Sequence, residues 1–157
     1  MAFYQFYKEQ IVPTSREKLW DFISSPANLK KITPPEMGFD ITTAHLSDKM
    51  YAGMIISYKV KPLPAFKTNW VTEITQVVDG KYFVDEQRVG PYSIWHHQHI
   101  LEDHAQGILM KDLITYAPPM GFLGTIANAL LIKNQLKKIF DYRKQAIEDI
   151  FGILPSN

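Results

Sequence analysis

Cysteine is absent from all 157 residues, which excludes a disulfide framework, a thiolate nucleophile and any cysteine-ligated zinc or iron–sulfur centre. An excess of charge of one sign is missing too. Seventeen basic residues face 16 acidic ones, and no basic cluster is interleaved with aromatics, so no nucleic-acid partner and no strong membrane-surface field is indicated. Long hydrophobic runs are scarce: the longest, Phe122 to Ile132, falls short of the ~20 residues that span a bilayer. The opening MAFYQFYKEQ has neither the basic flank nor the apolar centre of a signal peptide. There is no serine-nucleophile signature and no phosphate loop. The expectation from these absences is a cytoplasmic protein of about one domain, residues 1–157, without a transmembrane segment, and long enough to bury a core and still enclose a cavity.

What is present is concentrated between Phe83 and Leu101, FVDEQRVGPYSIWHHQHIL. Period-two spacing sends alternate residues to one face of a sheet. Asp85 and Gln87 therefore share a face of one strand, and Trp95, His97 and His99 share a face of the next. A three-residue connection at Gly90-Pro91-Tyr92 sets Gln87 opposite Trp95 and Asp85 opposite His97, within hydrogen-bond reach across the hairpin. A two-residue connection pairs Asp85 with His96 and turns every side chain to the other face. The three-residue version is preferred because it gathers Phe83, Asp85, Gln87, Trp95, His97 and His99 on one face and leaves Glu86 and Arg88 for solvent.

Upstream, the aromatic segment Phe3 to Val12 reads as a strand stopped by Pro13. Ser15 is a good N-cap for a helix over Arg16 to Ser24 with Leu19, Trp20, Phe22 and Ile23 on one side. After Pro26, Ala27 to Ile32 forms one more short turn before Thr33-Pro34-Pro35. Turn signals at Ser47-Asp48, Pro62-Leu63-Pro64, Asp79-Gly80, Gly90-Pro91 and Gln106-Gly107 then divide an antiparallel run. Its strands are expected over Asp40 to Ala44, Met54 to Lys61, Thr68 to Val78, Tyr82 to Val89, Ser93 to His104 and Ile108 to Ala117. Ile56, Tyr58 and Val60 point inward, as do Trp70, Thr72 and Ile74, and Met110, Asp112, Ile114 and Tyr116. Beyond Pro118-Pro119-Met120-Gly121, the residues Ile126, Leu130, Leu136, Ile139, Phe140, Ile147 and Ile150 carry helical spacing for nearly thirty residues. The class is α+β: a curved antiparallel sheet gripping a long C-terminal helix, with two short helices after the first strand.

Along this order of elements stand Leu29 with Thr33-Pro34-Pro35 and Gly38-Phe39, Met50-Tyr51-Ala52-Gly53, Trp70 with Thr72-Glu73-Ile74-Thr75, Phe83-x-Asp85-x-Gln87-x-x-Gly90-Pro91-Tyr92, Trp95-x-His97-x-His99, and Gly121 with Gly124. In these residues and this order the chain resembles the SRPBCC superfamily, also called START-like or Bet v 1-like, and within it a bacterial branch related to the polyketide cyclase/dehydrase group. The resemblance implies a helix-grip fold and a ligand cavity between sheet and helix; it implies no particular reaction.

The candidate ligand-binding residues are Tyr58, Trp70, Thr72, Asp85, Gln87, Trp95, His97, His99, Asp112 and Tyr116: aromatics around a few convergent polar groups, the usual content of a small-molecule pocket. The H-x-H pair has two readings, as metal ligands needing a third group from another strand or as histidines hydrogen-bonded to sheet carboxylates or partly exposed. The second is taken, so no metal and no cofactor is assigned. The first functional expectation is binding or transport of a small, mostly hydrophobic molecule with a polar end. The alternative is a cyclase, dehydratase or hydrolase with His97 and Asp85 as an acid–base pair, and a third reading is an interaction domain that uses its surface. No catalytic residue is assigned, and oligomeric state is left open. Gly121 and Gly124 read equally as a hinge or a tight turn. Lys133, Lys137, Lys138, Arg143 and Lys144 give the last helix a basic side, taken as a solvated face because Asp141, Glu148 and Asp149 dilute it.

Overall fold

The computed structural model describes residues 2–63, 66–119, 126 and 131–154. The first strand, β1 (Tyr4–Val12), ends where Pro13 has no N–H to offer the ladder. Ser15 then caps helix α1 (Arg16–Ile23), its hydroxyl accepting from the Lys18 amide. Leu19, Trp20 and Ile23 are buried, and Phe22 meets the Phe151 ring edge-on at 5.5 Å. Two 3-10 turns follow, Pro26–Ile32 and Pro35–Met37; the second occupies the proline-rich break where the sequence suggested none.

Six more strands complete the sheet: β2 (Asp40–Ile41), β3 (Met54–Leu63), β4 (Phe66–Val78), β5 (Tyr82–Val89), β6 (Ile94–His104) and β7 (Gly107–Ala117). The order is β1-β7-β6-β5-β4-β3-β2, with every neighbouring pair antiparallel. β2 is shorter than the five residues expected because a side chain takes over the ladder: the Ser57 amide donates to Thr43 Oγ1 at 2.8 Å. β3 runs past Lys61 to Leu63 through a register shift; Pro64 lies outside the described residues. Beside the opposite edge strand, β1, β7 begins on Gly107, whose φ is 142° and where an added Cβ would stand 2.2 Å from the Val12 carbonyl oxygen. Only glycine lets β1 come that close.

The hairpin register is the one that assembles the polar face. Asp85 opposes His97 and Phe83 opposes His99. The ladder stops at Glu86–His96, so the expected Gln87–Trp95 pair is not formed. Gln87 instead turns back on the connection, its amide donating to the Tyr92 carbonyl at 2.7 Å and its carbonyl accepting from the Tyr92 amide at 3.2 Å. Gly90 leaves room for this, since a Cβ there would sit 2.3 Å from Gln87 Oε1.

Helix α2 (Lys133–Phe151) lies against the sheet by Leu136, Phe140 and Ile147, and Phe140 meets Phe6 of β1 at 5.1 Å. Ile126 and Ile150, expected on the apolar stripe, are exposed; Leu130, Gly121 and Gly124 lie outside the described residues. No helix among the described residues is long and apolar enough to cross a membrane. Ile147 is fully buried in the cluster that joins α1, the sheet and α2. Ile147→Ala is therefore expected to destabilise the fold by about 2–5 kcal/mol, read as a lower urea midpoint with unchanged slope.

Candidate functional site

The concave side of the sheet carries two kinds of surface. On β3 and β4, Tyr58 and Trp70 lie with their rings near parallel at 6.2 Å, and Trp95 of β6 meets Trp70 edge-on at 5.2 Å. Tyr58 and Trp70 keep their polar ends satisfied through Thr72: Trp70 Nε1 donates to its hydroxyl at 3.0 Å, and the Tyr58 hydroxyl lies 3.0 Å from the same oxygen. An aromatic wall with its polar atoms internally paired presents apolar faces inward.

Next to that wall sit two carboxylates, two imidazoles and a guanidinium. His97 and His99 are neighbours on one face of β6, with ring centroids 3.7 Å apart. Each ring reaches both flanking strands. His97 sets Nε2 2.9 Å from Asp112 Oδ1 on β7 and Nδ1 3.3 Å from Asp85 Oδ2 on β5. His99 sets Nε2 2.6 Å from Asp85 Oδ2 and Nδ1 3.3 Å from Asp112 Oδ1. The shorter contacts are thus Asp85 with His99 and His97 with Asp112, and the expected Asp85–His97 contact is the longer one. The preceding residue, His96, points to the other side and pairs with Glu86 at 2.8 Å.

The fifth member comes from α2. Arg143 donates from Nη1 to Asp112 Oδ1 at 2.8 Å and lies with its guanidinium 4.8 Å from the Phe140 ring centre. This corrects its assignment to a solvated basic face, because the Arg143 side chain is only 12% exposed. Lys137 and Lys144 do face outward, paired with Asp141 and Glu148. Positions 136, 140, 143 and 147 follow helical i, i+4, i+7, i+11 spacing, so a cation on the apolar stripe was the available signal. Arg143 Nε is buried without a hydrogen-bond partner in the structure.

Burial opposes ionisation of Asp85, Asp112 and His97, but the neighbours prevail. Burial would raise the Asp85 carboxyl, yet His97 and His99 hold it below the ordinary carboxylate range. Burial acts likewise on Asp112, and Arg143 with the two histidines holds it well below that range. Burial lowers His97, and Asp85 with Asp112 raise it above the ordinary imidazole value.

Between wall, cluster and α2 lies a cavity of about 130 Å³. Of the ten residues expected there, Tyr58, Trp70, Thr72, Asp85, Trp95, His97 and His99 line it, and Arg143, Phe140 and Leu136 join them from the helix. Gln87, Asp112 and Tyr116 do not. Gln87 closes the β5–β6 connection, Asp112 sits behind the histidines, and Tyr116 is buried against Tyr4, Tyr92 and Trp95. Alternation placed Asp112 and Tyr116 on the correct face, but that face is filled at β7 before the cavity begins. Among the described residues, Asp85, His97 and His99 are the one set of three metal-ligating side chains whose ligand atoms all lie within 4.8 Å of one another.

Two outcomes are expected. Arg143→Met leaves Asp112 buried without its cation and should destabilise the protein by about 3–5 kcal/mol at neutral pH, measured by urea unfolding. The depressed carboxyls contribute stability above the ordinary carboxylate pKa and lose it as pH falls through their folded values. The raised His97 contributes fully below about 6.5 and loses its contribution as pH rises through its folded value. In chelator-containing buffer the urea midpoint should accordingly peak between about pH 4.5 and 6.5; a midpoint still rising at pH 8 contradicts this.

No protein-family model matches the chain, and no curated protein matches it at a significant level. Solved structures do match in shape. A protein from Chromobacterium violaceum superposes with a TM-score of 0.70 at 13% identity, covering 96% of this chain and 99% of that one. Major latex-like protein 151 from Panax ginseng gives 0.70 at 10% identity over 99% and 100% of the two chains. A Thalictrum norcoclaurine synthase, solved as a point mutant with a transition-state analogue, gives 0.66 at 14% identity over 95% and 96%. At such identities the likeness is one of fold, and the seven-stranded curved sheet closed by a C-terminal helix is the helix-grip fold of the SRPBCC, or Bet v 1-like, proteins.

Proposed function

We propose that residues 1–157 act as a single cytoplasmic domain that binds a small, mainly apolar molecule with one polar end in the cavity between sheet and helix. The observation that carries this reading is the two-part lining: aromatic faces from Tyr58, Trp70 and Trp95 beside the polar Asp85–His97–His99 group. The volume of about 130 Å³ is on the scale of cavities near 150 Å³ that accept a single aromatic ring. That size favours a compact ring compound over a long acyl chain. The Arg143 guanidinium and the histidine rings that line the cavity carry N–H donors, which supports a carbonyl or similar acceptor oxygen as the polar end. The norcoclaurine synthase neighbour, solved with a transition-state analogue, supports the use of this fold for small molecules.

A second reading, an enzyme of cyclase, dehydratase or hydrolase type, draws on the register that sets Asp85 opposite His97. Both ring nitrogens of His97 face carboxylate oxygens, however, which supports binding over proton transfer by that ring. Tryptophan emission separates ligand entry from surface association. Single-ring compounds bearing a carbonyl are expected to quench emission saturably in wild type and in Trp20→Phe, and to lose most of the effect in the Trp70→Phe/Trp95→Phe double variant. Equal quenching in all three variants, or none in wild type together with a bare mass by native mass spectrometry, overturns the cavity reading.

A further inference from the structure

The buried cluster has more acceptors than hydrogens. His97 and His99 make four nitrogen–carboxylate approaches, two to Asp85 Oδ2 at 3.3 and 2.6 Å and two to Asp112 Oδ1 at 2.9 and 3.3 Å. A neutral imidazole has a single N–H, so two neutral rings supply hydrogens for two of the four. The other two approaches set a nitrogen lone pair against a carboxylate oxygen, in a buried place where unscreened repulsion is costly. The arrangement calls for additional positive charge. One extra proton, on His97, supplies a third hydrogen and still leaves one lone pair against a carboxylate oxygen, and a second would make two imidazolium rings with centroids 3.7 Å apart, a like-charge contact. One divalent cation meets the same need at a single point.

Arg143 indicates where that point is. Its guanidinium already compensates Asp112, whereas among the described residues Asp85 has ion-pair partners only in the two histidines. With the outer nitrogens, His97 Nε2 and His99 Nδ1, donating to Asp112, the inner ones, His97 Nδ1 and His99 Nε2, turn lone pairs toward the Asp85 carboxylate. Two imidazoles and one carboxylate converging from adjacent strands are a recurrent donor set for first-row transition ions. A carboxylate behind the imidazoles, holding their other N–H groups, is the usual outer support of such ligands. The spacing is close to what an ion needs. Atoms bound tetrahedrally at about 2.0–2.1 Å stand roughly 3.3 Å apart; the His97–Asp85 contact has that spacing, and His99–Asp85, at 2.6 Å, would open by about 0.7 Å.

We propose that Asp85, His97 and His99 bind one divalent first-row transition-metal ion at the edge of the cavity, with Asp112 and Arg143 as positioning residues behind it. All three ligands line the cavity, so the remaining coordination position opens toward the aromatic wall and is available to water or to a ligand oxygen. The site stands independently of the ligand reading above, because it is tested with the metal alone.

The experiment titrates chelator-stripped, full-length protein with Co²⁺, reading visible ligand-field absorption and bound metal. One Co²⁺ per chain is expected, displaced by Zn²⁺. His99→Gln should weaken uptake at least ~100-fold, and Asp112→Asn about 10–100-fold with the band positions kept. His96→Gln, on the opposite face of the sheet, should leave it unchanged. If His99→Gln does not fold, the proton NMR spectrum of the wild-type Co²⁺ complex decides: two exchangeable, paramagnetically shifted N–H signals are expected, one from each imidazole. No saturable uptake by wild type, uptake unaltered in a folded His99→Gln, or a complex without those two signals overturns the proposal.

Discussion

The structure depends on a carboxylate that cannot be left alone. Asp112 is buried on β7, between β1 and β6, and a charge in that position costs several kcal/mol unless it is compensated by charges and hydrogen bonds. Its partners arrive from two directions, His97 and His99 from the neighbouring strand and Arg143 from the C-terminal helix. The pairing therefore does more than satisfy Asp112. It fixes the rotation of α2 about its axis, because apolar packing by Leu136, Phe140 and Ile147 is non-directional, whereas a guanidinium–carboxylate contact at 2.8 Å is directional.

That fixed rotation explains how a cavity survives in a protein whose interior would otherwise close. The helix crosses the sheet with a polar residue between two apolar turns, and the rings of the aromatic wall are held in place because Tyr58 and Trp70 are both tied to Thr72. The same low-dielectric surroundings that penalise an unpaired charge strengthen the paired ones. Apolar wall and charged cluster thus reinforce each other: one excludes water, and the other keeps its geometry because water is excluded.

Much of this was legible in the residues. Alternation along Phe83–Leu101 and the Gly90-Pro91-Tyr92 signal led to the Asp85–His97 register, and period-two spacing on β3, β4 and β7 identified the inward sets. The fate of individual polar side chains was less legible. Gln87 faces as alternation demands, but its amide matches the Tyr92 backbone groups better than anything in the cavity. Asp112 and Tyr116 point inward, yet neighbours packed in front of them decide whether inward means pocket or core. Arg143 was lost among the lysines because charge was counted along the helix and not around it.

The sequence by itself determined the order of elements, the hairpin register and the polar face on β5 and β6, because those follow from local rules: the two-residue period of a strand, the loop length between strands, the missing N–H of proline. Only the tertiary structure decided which of those polar groups meet. The two carboxylates come from strands on either side of the histidines, and the guanidinium is 31 residues from the aspartate it neutralises. No local pattern carries such distances. They are set when the sheet curves and the helix is laid across it, and the cost of burying charge selects the one arrangement in which each has its counterpart.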